Sequence, residues 1–356
     1  MVRINEKPVY FQIPADFKPG PKNGHMSEKH PVYAGAEKQV AEGMKQVWAG
    51  TLEQARSALA SMPVATPERC PEPGKDVLIS QKMVPVRDGA KVEIQIYKSP
   101  KVEPDAALVL HFHGGGWTVG GHFSEEAEHR YLGALPNVVA ASVDYRMAPE
   151  HPYPIPANDC YDVLKWCKAN ASNLGINPER IILAGDSAGG NLTLITALKA
   201  RDEGLTGIVA MKLAFPSVLH PKFMDQVPNK ENYELLSMYQ NCDDVILSGG
   251  LMETFLDFYV GKDPKPDPGH SPLLAADLSN LPPALVVVAG ADPLRDEGIA
   301  VAERLKAAGG DVQLEKYSGL PHCFNFLFAQ LPETKKAFDD IIAFVRKYAE
   351  GGRSLL

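Results

Sequence analysis

From residue 76 onward the chain alternates short, nearly continuous apolar runs with stretches of helical periodicity. The apolar runs fall at 107–113, 138–145, 180–186, 208–215, 284–290 and 312–317. The helical stretches fall between most of them, at 157–170, 189–202, 294–308 and 333–349. Strand-length runs without polar alternation have no solvent face. Their alternation with helices predicts an α/β fold: a mainly parallel sheet covered on both sides. Two further strands, 77–85 and 92–97, flank Arg87-Asp88-Gly89, and Asp-Gly is a hairpin signal.

Two intervals depart from this rhythm. Residues 11–35 are rich in Pro, Gly and Lys and read as irregular, while 37–61 has apolar positions at helical spacing and good helix formers. Residues 218–272 carry Pro, Asn and Asp clusters and a helical piece near 251–259, between two core strands. Such an insertion is expected over the C-terminal edge of the sheet, where α/β sites lie. The expected division is a catalytic α/β domain at 76–217 and 273–356, an inserted cap at 218–272, and an N-terminal segment, 1–75, contributing to that helical cap.

Composition narrows the partners. The net charge is −8 and no basic stripe occurs, so a nucleic-acid partner is not expected. No apolar run is long enough to span a bilayer, and the first residues lack the apolar core of a secretory signal. The expectation is a cytoplasmic protein with no stable membrane anchoring. Its five cysteines include no CxxC pair. Cys160 and Cys167 would sit two turns apart on one helix, roughly 10 Å, too far for a disulfide. Free thiols are expected.

Candidate chemistry begins at Gly185-Asp186-Ser187-Ala188-Gly189, directly after one predicted strand and directly before a helix. A nucleophile elbow requires this context. The pentapeptide alone arises by chance about 0.1 times in such a chain and can be a plain glycine turn; the strand–turn–helix setting favours Ser187 as nucleophile. His113-Gly114-Gly115-Gly116-Trp117 follows another strand. By chance it occurs roughly 0.006 times. Successive glycines can present backbone N–H groups to a developing oxyanion, joined by the N–H of Ala188. A phosphate-binding turn is the alternative, but no Lys-Ser/Thr or GxGxxG follows.

A nucleophilic serine needs a base and an orienting acid. Of the histidines after Ser187, His220 and His270 fall in the insertion and read as surface or packing residues. His322 lies in a short loop after the last strand, where a base can reach the strand ends. Asp292 emerges from the strand at 284–290 and is favoured as the acid over Asp296. Asp296 and Glu297 stand at a helix start, where capping is expected.

These residues resemble the hormone-sensitive-lipase-like family of α/β-hydrolase carboxylesterases. The matching segments are HGGGW at 113–117, DYRMAPEHPYP at 144–154, GDSAGG at 185–190, DPLRDEG at 292–298 and LPHCFNF at 320–326. The resemblance implies a triad of Ser187, Asp292 and His322, with oxyanion donors at Gly115, Gly116 and Ala188. It makes His113 and the segment 145–154 scaffold for the glycine loop. Trp117 is expected at the mouth of the substrate pocket. Cys323 stands where the family usually has Gly, and Phe215-Pro216 where Tyr-Pro is common. The N-terminal segment is longer than in many microbial relatives.

The implied activity is hydrolysis of short- to medium-chain carboxylic esters through an acyl-enzyme, with no metal or organic cofactor. An amidase or formamidase on the same scaffold is the alternative, as is a non-catalytic small-molecule receptor. The strand at 312–317 is expected at a sheet edge, and pairing two such edges would give a homodimer.

Overall fold

A computed structural model describes residues 8–10, 13–62 and 66–351. The parts of the N-terminal segment at 1–7, 11–12 and 63–65 lie outside the described residues. Eight strands form one sheet: β1 (Leu78–Pro85), β2 (Lys91–Lys98), β3 (Ala106–Phe112), β4 (Val138–Asp144), β5 (Ile176–Asp186), β6 (Ile208–Ala214), β7 (Ala284–Ala289) and β8 (Val312–Tyr317). Their order is β1-β2-β4-β3-β5-β6-β7-β8. β1 and β2 form the antiparallel hairpin expected at Asp88-Gly89, and β2 joins β4 antiparallel. From β4 to β8 every pairing is parallel. The mainly parallel α/β sheet read from the apolar runs is therefore present, as the resemblance to α/β-hydrolases also implied. β8 is an edge, as expected, and β1 is the other.

The helices explain why the central strands lack polar alternation. In chain order they are α1 (Pro31–Val47), α2 (Leu52–Ser61), α3 (Glu126–Gly133), α4 (Ile155–Ala169), α5 (Ala171–Leu174), α6 (Ala188–Asp202), α7 (Ser237–Gln240), α8 (Gly249–Val260), α9 (Arg295–Ala307), α10 (Phe324–Leu327) and α11 (Pro332–Ala349). One face of the sheet packs on α4, α6 and α9, the other on α3 and α11. β3 and β7 are buried along their whole length. β1 is exposed at all but one position. Cys160 and Cys167 lie buried on α4, and all five cysteines are free thiols.

Three local expectations are corrected. The single helix read at 37–61 is two helices. The first begins earlier, at Pro31, whose fixed φ suits a first helical position; the His30 side chain accepts the Val32 N–H. The break comes at Thr51, which caps α2 through a reciprocal capping box with Gln54. α3 was not anticipated, because its sequence EAEHRYLG carries few apolar residues to give a period. Its buried face includes Glu128 and His129, so polarity hid it.

Distant segments meet over the C-terminal ends of the strands. Residues 24–30 run beside the loop after β8: the Gly319 N–H donates to the Met26 carbonyl (2.8 Å) and the His30 N–H to the Gly319 carbonyl (2.9 Å). The buried Tyr33 hydroxyl of α1 donates to Asp244, in the 218–272 interval, at 2.5 Å. Arg56 of α2 reaches the Thr118 carbonyl (2.8 Å), the Ala148 carbonyl (2.9 Å) and the Glu150 carboxylate (2.8 Å).

Tyr33→Phe tests the first of these anchors. It leaves the buried Asp244 carboxylate without its hydroxyl donor, at a cost of about 1–3 kcal/mol. The expected outcome is a lower denaturant midpoint with an unchanged m-value.

Candidate active site

Parallel pairing brings the C-terminal ends of β3, β5, β7 and β8 to one edge of the sheet, and each contributes a loop there. Ser187 follows β5 and has φ +56 and ψ −118. This is a strained backbone for a residue with a side chain. It holds because the residues two positions away on both sides are glycine: a Cβ at Gly185 would fall 2.2 Å from the Gly189 carbonyl oxygen, and one at Gly189 1.9 Å from that of Phe112. The Ser187 N–H is fixed to the Ala214 carbonyl at 2.8 Å. The turn places Ser187 directly before α6, whose first N–H groups lack helical acceptors.

Three of the sequence candidates meet in one chain of hydrogen bonds. His322 Nε2 lies 2.9 Å from Ser187 Oγ, and His322 Nδ1 lies 2.7 Å from Asp292 Oδ2. Nδ1–H therefore donates to the carboxylate, which leaves Nε2 to accept from the serine. The other Asp292 oxygen accepts the Leu294 N–H at 2.8 Å, which orients the carboxyl group. Burial pushes the His322 imidazole down, but the attraction of Asp292 outweighs it and leaves His322 well above the usual histidine range.

Asp296, the rival acid, points elsewhere. It accepts the Leu236 and Ser237 N–H groups, each at 2.8 Å. Glu297 accepts the Val218 N–H at 2.6 Å. Neither is the simple helix cap that position suggested; Glu297 anchors the start of the 218–272 interval to α9, and Asp296 anchors its interior at 236–237. His220 and His270 are buried packing histidines in contact with Phe223.

Gly115, Gly116 and Ala188 line the same cavity as Ser187 and His322. Among the described residues, no hydrogen bond engages the N–H of Gly115 or Gly116. A Cβ at Gly116 would strike the Phe255 ring at 2.2 Å, so this approach of the loop to α8 requires glycine. The loop is braced from below. The Gly114 N–H donates to Glu125 at 2.9 Å, His113 Nδ1 to the Gly114 carbonyl at 2.7 Å, and the Tyr145 hydroxyl to the His113 carbonyl at 2.9 Å. Burial lowers His113 to about 3, so it is a neutral structural donor.

The cavity measures about 250 Å³. Its walls come from Met44 and Trp48 around the end of α1, Leu59 of α2, Leu251, Met252 and Phe255 of α8, and Phe326 of α10. Trp117 is at this wall, nearly fully buried, with its ring stacked on Tyr259 at 4.3 Å and 3°. Cys323 also lines the cavity; burial raises its thiol above the ordinary value, so it stays protonated beside His322. No described helix is long and apolar enough to cross a membrane.

Sequence reading missed a group of buried polar residues under the elbow. Lys212 of β6 contacts Asp186 and Glu128, with His111 and His129 beside them. The signal was present: a lysine inside the apolar run at 208–215 requires a buried partner.

Comparison with known proteins places this geometry in company. A family profile described as the alpha/beta hydrolase fold matches residues 109–326. A carboxylesterase of Mycobacterium tuberculosis, NlhH, is 36% identical over 76% of this chain and 81% of its own length. An arylesterase of Saccharolobus solfataricus is 37% identical over 66% of this chain and 73% of its own. The solved structure of an esterase from Pyrobaculum calidifontis, 31% identical, superposes with a TM-score of 0.72 over 90% of this chain and 98% of that one.

The two carboxylates can be separated by experiment. In an NMR titration His322 is expected to lose its proton above pH 6.5, and Asp292→Asn to move that midpoint down, since burial then acts with little opposition. By linkage, the stability from the His322–Asp292 pair is full below about pH 6.5 and lost as pH rises through the raised value. Asp296→Ala should leave the His322 midpoint in place. It should instead lower stability by about 2–4 kcal/mol, because the Leu236 and Ser237 N–H groups and the buried Arg295 guanidinium lose their acceptor.

Proposed function

The chain belongs to the hormone-sensitive-lipase-like family of α/β-hydrolase carboxylesterases, and on that premise we propose that it cleaves uncharged short- to medium-chain esters at Ser187. It is a serine carboxylic-ester hydrolase by family. The observation that carries the assignment of residues is the relay from Ser187 Oγ through His322 to Asp292, at 2.9 and 2.7 Å, on the floor of an apolar cavity.

The mechanism is two-step acyl transfer. His322 Nε2 takes the Ser187 proton as Oγ attacks the ester carbonyl. The oxyanion that forms is held by the N–H groups of Gly115, Gly116 and Ala188. His322 then gives its proton to the departing alcohol, and water, activated in turn by His322, releases the acid from Ser187. Asp292 holds the imidazole with Nδ1 protonated and stabilises the imidazolium between steps. Because His322 must be neutral to begin, kcat/KM rises with pH, and its acid limb lies above 6.5.

The cavity walls support the substrate class. Apolar and thioether side chains dominate, and burial pushes the Glu125 carboxyl at the base well above the usual carboxylate range, which favours an uncharged acyl group. A volume of about 250 Å³ accommodates a short or medium acyl chain and a modest alcohol. In this reading the N-terminal helices α1 and α2 and the interval 218–272 act together as the cap, with 76–217 and 273–356 as the catalytic domain. Trp117 supports the wall from behind through its stack on Tyr259.

Hydrolysis of a p-nitrophenyl ester series from acetate to palmitate tests the proposal. Turnover should be greatest for short and medium chains, and Ser187→Ala should lose at least about 10³-fold in kcat while keeping the fold. Retention of most activity by Ser187→Ala would sink the assignment. Phe255→Ala removes the ring that abuts Gly116, and should move the optimum toward longer chains, with KM for those esters falling.

A further inference from the structure

Beneath the elbow lies a buried group of charges that acyl transfer does not itself use. Lys212 is in the middle of β6 and only 1% exposed. Its Nζ donates to Asp186 Oδ1 and to Glu128 Oε1, both at 2.6 Å, and lies 3.4 Å from His111 Nε2. His111 Nε2 is in turn 3.3 Å from Asp186 Oδ1, and the His129 ring packs edge-on against His111 at 4.6 Å. Among the described residues, His111, Glu128 and Asp186 are the group whose ligand atoms converge closely enough for a metal ion. The Lys212 ammonium is within hydrogen-bonding reach of all three and fills that place.

We propose that Lys212 is a positioning residue for ester hydrolysis, the internal counter-cation that keeps the Asp186 carboxylate paired beneath Ser187 and holds the elbow in register with the glycine loop. The proposal rests on Ser187 being the nucleophile. Two connections carry it. Asp186 is the last residue of β5 and directly precedes Ser187. Glu128 sits on α3, and Glu125, just before that helix, accepts the Gly114 N–H at 2.9 Å. One ammonium thus ties the strand that carries the nucleophile to the helix that braces the oxyanion loop.

Charge gives the second reason. An unpaired carboxylate one residue from Ser187 would oppose the oxyanion that forms beside Ala188. Lys212 faces Asp186 on β5, His111 on β3, and Glu128 and His129 on α3, with Glu125, His113 and His122 behind them. From the loop after β8 the Cys323 thiol also acts on Asp186, and burial raises it toward the neutral form; Leu285 of β7 and the apolar Ala337, Ile341 and Phe344 of α11 belong to the surrounding core. Burial disfavours the charged forms of His129, His113 and Glu125, lowering the two histidines and raising the carboxyl, so Lys212 is the counter-cation for Asp186 here. Burial would also raise Asp186, but the attraction of Lys212 overcomes it and holds that carboxyl at about 2. The pair is therefore invariant across the working pH range.

Lys212→Met keeps the stem and removes the charge. The expected result is a loss of kcat on the order of tenfold with KM within about twofold. It should also bring an alkaline limb absent from the parent enzyme. Without Lys212, burial leaves Asp186 protonated at low pH, and it ionises unpaired as pH rises, so activity falls as pH passes through its raised pKa. Lys212→Met/Asp186→Asn should lose that limb and recover most of kcat. Glu128→Gln leaves the Lys212–Asp186 pair intact and weakens only the tie to α3, so it should lower kcat about a few-fold and bring no alkaline limb; an unchanged kcat there overturns the proposal where Lys212→Met does not fold. The proposal is overturned if Lys212→Met keeps the parent profile. It is equally overturned by an even loss at all pH unrelieved in the double variant, or by an alkaline limb in Glu128→Gln. Ser187→Ala run alongside separates the two readings: its residual turnover would overturn the nucleophile itself, not Lys212.

Discussion

The site depends on holding one serine in a backbone conformation that its side chain disfavours. Ser187 at φ +56 is kept there by the tight passage of β5 into α6, where only hydrogen fits at Gly185 and Gly189. Strain of this kind costs of order 1–3 kcal/mol and persists only where the surroundings over-determine it. Here they do so through hydrogen bonds and an ion pair. β5 is paired on both sides, the Ser187 N–H is tied to Ala214, and the residue before it is locked by a buried ion pair. The return is a hydroxyl raised above the sheet edge, at the N-terminus of α6. There Asp292 and His322 arrive from strands on the β7–β8 side and the glycine loop from the β3 side.

How much of this could be read from the chain follows from which signals are local. Apolar runs in β3 to β7 announce buried strands because both faces of each strand are covered. The elbow and glycine loop are legible because their geometry excludes most residues at fixed spacing. His322 and Asp292 could be found because chain order and strand ends confine them. α3 could not, since its inward face carries Glu128 and His129 in place of a leucine stripe. The break between α1 and α2 rests on a capping box at Thr51, a signal present in the sequence but weaker than the continuous helical period around it. Asp296 and Glu297 looked like helix caps because position alone suggests it. Their partners, the backbone at 236–237 and 218–219, are some sixty to eighty residues away in sequence. Long-range pairing of a side chain with loop backbone leaves no periodic trace.

The polar interior beneath the elbow left one trace in the sequence, Lys212 inside the apolar run at 208–215, but its partners on β5 and α3 could not be read from it. Buried ions are weak evidence for stability, since desolvation offsets much of their attraction. What they do supply is register. An apolar contact tolerates a slide of an ångström; the 2.6 Å contacts of Lys212 with carboxylates on β5 and α3 do not. A catalytic loop pair that must present an oxygen nucleophile and N–H donors on opposite sides of one carbonyl gains most from this kind of fixing.

The cavity walls are built on a different principle. Met44, Trp48, Leu59, Leu251 and Phe255 come from helices that contribute nothing to the sheet, and they meet through a few polar anchors: Tyr33 with Asp244, Arg56 with Thr118 and Glu150, and Asp296 with the backbone at 236–237. The catalytic loops sit on fully buried strands and cannot shift without disturbing the core. The wall residues project from helix faces, and most can change size without touching a hydrogen bond of the relay. Gly116 is the exception, because its backbone meets the Phe255 ring directly. At that one contact the size of the pocket and the position of an oxyanion donor are not independent, so a change at Phe255 reads out in rate as well as in selectivity.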